Sequence, residues 1–277
     1  MINPGYADDL PGRVVNMSVP NVARIYDFLL GGKDNFAVDR VAARALLAAV
    51  PEAARAARDN RAFLARAVRF LAREAGIRQF LDIGTGLPAR GHVHEIAREA
   101  DPIARVVYCD NDPVVVAHAN ALLGDALTVA AVESDLRSPH QLLAHPRVRE
   151  MIDFDQPVAV LLVAVLHFLE DSDSPWEAVG AIKDRMAPGS YLVVSHVTGD
   201  EITLEALRQA RAVYRGASAP GTARCREEIE LFFDGLEMVT PGVVDVAVWQ
   251  ARRRARNIRP ALFYAGVGRK PGIPGQP

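Results

Sequence analysis

From about residue 20 the apolar positions first recur with helical spacing and then change texture. In "PNVARIYDFLLGG", Val22, Ile25, Tyr26 and Leu29 fall on one helical face, and Gly31-Gly32 ends the run. "VDRVAARALLAAV" continues the period. "PEAARAARDNRAFLARAVRFLAREAG" opens with proline, closes with glycine and is alanine-rich between, as a long helix should be. These runs predict a helical cap over 18–76. From Arg78 onward short apolar runs alternate with helical periods. Strands are expected at 79–83, 105–109, 127–132, 157–164 and 190–195. Helices are expected at 91–100, 113–123, 138–150 and 175–186, then at 200–216 and 223–233. "VAVLLVAV" is apolar without a break, as strands buried on both faces are. "LEMVTPGVVDVAVW" and "PALFYAGVGRK" read as two paired strands, the first interrupted at Pro241-Gly242. Strand–helix alternation of this kind predicts an α/β fold, a parallel sheet with helices on both faces, over 77–270. Residues 1–17 are rich in turn formers and are expected to be a disordered tail.

Composition changes this picture little. The 277 residues are 50% apolar and 24% charged, an ordinary globular balance. A net charge of −2 gives no bulk attraction for nucleic acid. The basic run "ARRRARNIR" (251–259) is equally well a loop between the last two strands. Cys109 and Cys225 lack metal or redox spacing and are expected to be free thiols in a reducing compartment. The N-terminus does not read as a signal peptide, and the apolar run at 157–169 is too short for a bilayer. The expectation is a soluble cytoplasmic protein with no membrane association.

Candidate chemistry begins at "RQFLDIGTGLPARGHVHEI" (78–96), which reads as strand, glycine turn and helix. "GTGLPA" matches the dinucleotide fingerprint G-x-G-x-x-A, a weak signal by itself. Asp82, two residues before Gly84, would repel a diphosphate, and Pro88 removes a backbone donor just past Gly86. Both suit a cationic ligand such as S-adenosylmethionine, whose ammonium Asp82 could attract. Asp110, at the end of "ARVVYCD", could take both ribose hydroxyls. It lies further from Gly84 than the roughly 20 residues of a nicotinamide site. Asp135, in "AVESDLRSP", could accept from adenine's exocyclic amine. Each acid alone is more often a cap or a solvated turn; three in succession at strand ends favour a ligand.

"FLDIGTG", "VYCDNDP" and "ESDLR" resemble the motif series of class I S-adenosylmethionine-dependent methyltransferases. Over about residues 18–268 the chain resembles one actinobacterial family of that superfamily, the S-adenosyl methyltransferase family. The marks are "PNVARIYDFLLGGKDNF", "FLDIGTGLP", "LLVAVLHFLED", "GSYLVVSH" and "FFDGLEMVTPG". It departs at Ala89 and His92, where a threonine and an asparagine are expected. The resemblance implies a Rossmann-like seven-stranded sheet whose last strand is antiparallel, with the helical segment 18–76 as a lid. It also implies a cofactor-binding set that adds Thr85, Asn111, Leu136 and Ala164 to Asp82, Gly84, Gly86, Asp110 and Asp135. The cofactor carboxylate needs a cation, for which Arg61 and Lys33 are the candidates. The distantly similar leucine carboxyl methyltransferases place a basic residue comparably. Tyr26 is either a cofactor or substrate contact or a core residue.

Methyl transfer from a sulfonium needs alignment above all, and a base only if the acceptor must lose a proton. His167, after the fourth strand, and His196, ending the fifth, are the candidate catalytic bases. Glu170, Asp171 and Asp173 read as a solvated turn, no metal is expected, and His92 and His94 receive no role. The leading expectation is a methyltransferase acting on a small-molecule acceptor. The alternatives are a nicotinamide-dependent oxidoreductase and a non-catalytic protein that binds S-adenosylmethionine or S-adenosylhomocysteine. The oxidoreductase lacks a Tyr-x-x-x-Lys pair on any helix. The sequence names neither the acceptor nor the oligomeric state.

Overall fold

A computed structural model describes residues 17–88, 91–123, 127–251 and 260–272. The expected N-terminal tail, apart from Met17, and the basic run at 252–259 lie outside the described residues, as does Ala89. Three helices come first: α1 (Val22–Leu29), α2 (Ala37–Ala49) and α3 (Ala53–Arg73). The alternating part follows as β1 (Gln79–Ile83), α4 (Val93–Arg98), β2 (Arg105–Asp110), α5 (Pro113–Leu123) and β3 (Val129–Glu133). It continues as α6 (Pro139–Ala144), α7 (Pro146–Met151), β4 (Ala159–Val163), α8 (Pro175–Arg185) and β5 (Tyr191–Val197). The chain ends with α9 (Leu204–Arg215), α10 (Arg226–Glu230), β6 (Glu237–Met238), β7 (Val244–Asp245) and β8 (Phe263–Arg269).

The strands lie in the order β3-β2-β1-β4-β5-β8-β6, with β7 also paired to β8. The first five are mutually parallel, and β8 runs antiparallel to β5. β6 and β7 are the interrupted strand expected around Pro241-Gly242, both antiparallel to β8. Counted as one, they make seven strands with the last antiparallel.

Alternation along the central strands divides the core in two. Phe80, Val106, Tyr108, Ala159, Leu161, Tyr191 and Val193 face one apolar cluster, which also holds Ile25, Leu46, Phe63 and Leu71 of the N-terminal helices. Leu81, Val107, Cys109, Val160, Leu162, Leu192 and Val194 face the other, built with α6, α7 and α8. The N-terminal helices thus form one side of the sheet's own core. Both cysteines are free. No described helix is long and apolar enough to cross a membrane.

One helix expected over 138–150 is two. Pro146 begins α7, and the residue before a proline is driven out of helical geometry. His145 accordingly has ψ 127°, which ends α6. The expected helix over 223–233 is likewise a single turn, α10, followed by a 3-10 turn at Leu231–Phe233.

Candidate active site

The carboxyl ends of the parallel strands open into a cavity of about 650 Å³, within the range of roughly 300–1,000 Å³ usual for small-molecule sites. Asp82 shares its sheet face with Phe80, the face covered by α3, and α3 brings Arg61 to the same cavity. Asp82 is 6% exposed. Its carboxyl is pushed up to about 6, by burial above all, with Thr85 and the Arg61 charge opposing and Asp110 adding to the rise. Burial likewise raises Asp110 to about 6, against the backbone donors that it accepts.

The glycine turn is stitched to β2. The amides of Gly84 and Thr85 donate to the Cys109 carbonyl, at 2.8 and 3.3 Å. The Gly86 amide donates to Asp110 Oδ2 at 2.9 Å. All three turn N–H groups are therefore spent inside the protein, and the next helix starts only at Val93. A pyrophosphate would find these three amides taken and, among the described residues, no helix N-terminus beside them. Gly84 and Gly86 have φ of +73° and +66°, the left-handed region that favours glycine. A Cβ on Gly84 would also collide with Val165.

Of the residues singled out from sequence, Asp82, Gly84, Thr85 and Gly86 line the cavity beside Asp110 and Asn111. Asp135, Leu136, Ala164, Arg61 and Tyr26 line it too. Arg61 makes a long bond of 3.4 Å to the Gly91 carbonyl. Asp135 is held by Arg137 at 2.6 Å, which keeps its carboxyl below the usual range. Asn111 reaches it at 3.5 Å. Ala164 has φ +58°, a strained backbone for alanine, at the tip of β4.

Three expected residues fall elsewhere. Lys33 is exposed and outside the cavity wall. Strand alternation puts His196 on the sheet face opposite Ser195, fully buried. Its Nδ1 lies 2.7 Å from the Val197 carbonyl, and its Nε2 faces Arg224 Nη1 at 3.0 Å. Because guanidinium only donates, Nε2 accepts and Nδ1 donates, so no lone pair is left for a substrate. Burial, with Arg224 beside it, lowers its pKa to about 3. His167 is buried against it, ring centroids 5.6 Å apart, and is likewise held well below its ordinary value by burial. Neither histidine is in the cavity wall.

Sequence reasoning missed the parts that join the N-terminal helices to the sheet. Asn60, 1% exposed, donates to Tyr26 Oη at 2.9 Å and accepts from Ser195 Oγ at 2.6 Å. Ser195 Oγ in turn accepts from the Ala164 amide at 3.0 Å. Asn21 caps α1 through the amides of Ala23 and Arg24 and donates to Asp112 Oδ2 at 2.7 Å. The juxtaposition of Asn60 with Arg61 in "DNR" was the one available signal for the first of these.

A sheet in this order with its last long strand reversed, acids at the tips of its first three strands and turn amides turned inward, defines the S-adenosylmethionine-dependent methyltransferase class. Within that class the chain belongs to the S-adenosyl methyltransferase family, whose model matches residues 9–271. It is similar to a candidate methyltransferase from Thermobifida fusca YX, solved by crystallography, with 43% identity and a TM-score of 0.88 over 93% of this chain and 97% of that one. It is also similar to a DUF574 family protein from Streptomyces avermitilis MA-4680, with 38% identity and a TM-score of 0.87 over 92% and 99%. An O-methyltransferase family protein from Burkholderia thailandensis, 16% identical over 84% of this chain and 63% of that one with a TM-score of 0.52, shares the fold alone. No curated protein matches the chain. The protein is an S-adenosylmethionine-dependent methyltransferase.

Proposed function

We propose that the cavity holds S-adenosylmethionine along the tips of β1, β2 and β3 and passes its methyl group to a small-molecule acceptor entering beneath α1. Bound S-adenosylmethionine supplies a methyl group already activated on a sulfonium, so the chain has chiefly to hold and align. Arg61 takes the cofactor carboxylate and Asp82 the ammonium. Asp110 accepts from the ribose hydroxyls, while Asp135 and Leu136 border the adenine. Thr85, Asn111 and Ala164 shape the surrounding wall. Lys33 has no part in this assignment, and neither His167 nor His196 is assigned as a base.

The observation that carries the reading is the pair of buried acids, Asp82 and Asp110, with their pKa values raised to about 6 beside the lone cavity cation Arg61 that no described acid pairs. Buried carboxylates of this kind are relieved by donors such as an ammonium or a vicinal diol. The cavity volume fits a nucleoside joined to an amino acid together with a small acceptor. Replacing Asp110 by Ala tests the ribose assignment. S-adenosylhomocysteine affinity, measured by calorimetry, should fall at least about tenfold, or about 1.4 kcal/mol. Unchanged affinity in the folded variant contradicts the assignment.

A further inference from the structure

The N-terminal motif "LLGGKDNF" builds a buried carboxylate that the cofactor assignment leaves unused. Asp27 lies on the cavity side of α1, in one stripe with Ala23 and Leu30 at helical spacing. It is 8% exposed. The loop after α1 folds around it. Gly31 turns with φ +80°, and a Cβ on Gly32 would collide with the Asp27 carboxylate. The Asp34 amide and Asn35 Nδ2 both donate to Oδ2, at 3.0 and 2.7 Å. Oδ1 accepts no hydrogen bond among the described residues.

Asp34 and Asp39 act on Asp27 with like charge, and Arg40 Nη1 donates to the Asn35 carbonyl and Oδ1 rather than to Asp27. The nearby guanidinium of Arg24 is committed to Asp39 at 2.7 Å, and Arg137 to Asp135. Burial raises the Asp27 carboxyl above its ordinary value. The same cavity wall holds the apolar Val22, Leu30, Phe168 and Pro220. A buried acid with acidic neighbours and one free oxygen attracts a cation and repels a carboxylate or phosphate. Among the described residues the cavity wall holds no histidine, lysine or cysteine, and its bases are carboxylates. Carboxylates take a proton from an ammonium far more readily than from an alcohol of ordinary acidity.

We propose that Asp27 recognises the acceptor and that the acceptor is an amine, methylated on nitrogen. The inference rests on the methyltransferase reading of the same cavity. An amine arriving as its ammonium gives one proton to Asp27, and the freed lone pair forms the N–C bond while the C–S bond breaks. The bonding pair stays on sulfur, the product leaves as a methylated ammonium, and Asp27 returns its proton to solvent.

The test uses the full chain saturated with S-adenosylhomocysteine and titrated with benzylamine, benzyl alcohol and benzoate, which differ in the functional group alone. Benzylamine should bind at least about tenfold more tightly than the other two, and Asp27→Asn should abolish that preference. Equal or stronger binding of the alcohol or the benzoate, no binding of benzylamine, or an unaltered preference in folded Asp27→Asn overturns the proposal. If Asp27→Asn does not fold, the wild-type ranking decides alone. Failure of S-adenosylhomocysteine itself to bind contradicts the methyltransferase reading instead.

Discussion

Asp82 and Asp110 ionise near 6 in the folded chain rather than near 3.8. A raised carboxyl pKa means that folding favours the protonated form. The resulting stabilisation of the ligand-free protein is complete below about 3.8 and is lost as pH rises through about 6. Ligand binding runs the other way, because ammonium and hydroxyl donors need the ionised acids. S-adenosylhomocysteine affinity should therefore hold steady from about pH 7 up to the point where the ligand's own ammonium loses its proton, and weaken below about 6, by up to about tenfold per pH unit for each acid that must lose its proton. Calorimetry across that range checks the sign; a flat profile means that these acids do not hold the ligand. Gly84 gives a second residue-scale expectation. Gly84→Ala combines a left-handed φ with a collision against Val165. It should cost roughly 1–3 kcal/mol in urea unfolding. A cost near zero would mean that the turn relaxes freely.

The elements that the sequence pattern predicted best are those whose core stripe is local. α1, α3, α5, α8 and the five parallel strands come out within a few residues of expectation, because periods of 2 and 3.6 record burial directly. The division of α6 from α7 was also written in the sequence, in Pro146, but periodicity ran across it. The positions of Asp82 and Asp110 were legible because alternation along a strand fixes which way its side chains go, whereas Asp135 lies two residues beyond β3. The histidines misled for the complementary reason. A histidine at a strand end has two faces open to it, and His196 takes the one that packs on Arg224 and Phe232.

Arg224 shows what such a long-range contact supports. It is 2% exposed and donates to the carbonyls of Leu166 and Leu169, to His196 and to Asp171. It thereby ties the segment before α10 to the turn after β4, and both flank the cavity. Arg224→Met should destabilise by at least about 2 kcal/mol, since buried acceptors lose their donor, and should raise the His196 pKa by removing a neighbouring charge. Urea unfolding and histidine NMR titration read the two effects. A loss within the range of ordinary surface substitutions, about 0.5 kcal/mol, contradicts the clamp.

For the whole molecule, the N-terminal helices complete the site as well as the core. They contribute Arg61, Asn60, Tyr26 and Asp27 to a cavity whose other walls are strand tips, and Asn21 fastens them to the loop after β2. The sequence could place these helices but not dock them, because Asn60–Ser195 and Asn21–Asp112 join positions far apart in the chain. The central claim is that this assembled cavity binds an S-adenosyl nucleoside and rejects a pyrophosphate. Its most direct test is parallel calorimetric titration of the purified protein with S-adenosylmethionine, S-adenosylhomocysteine and NADH. Micromolar binding of the first two and none of NADH is the predicted result; binding of NADH alone would contradict the account.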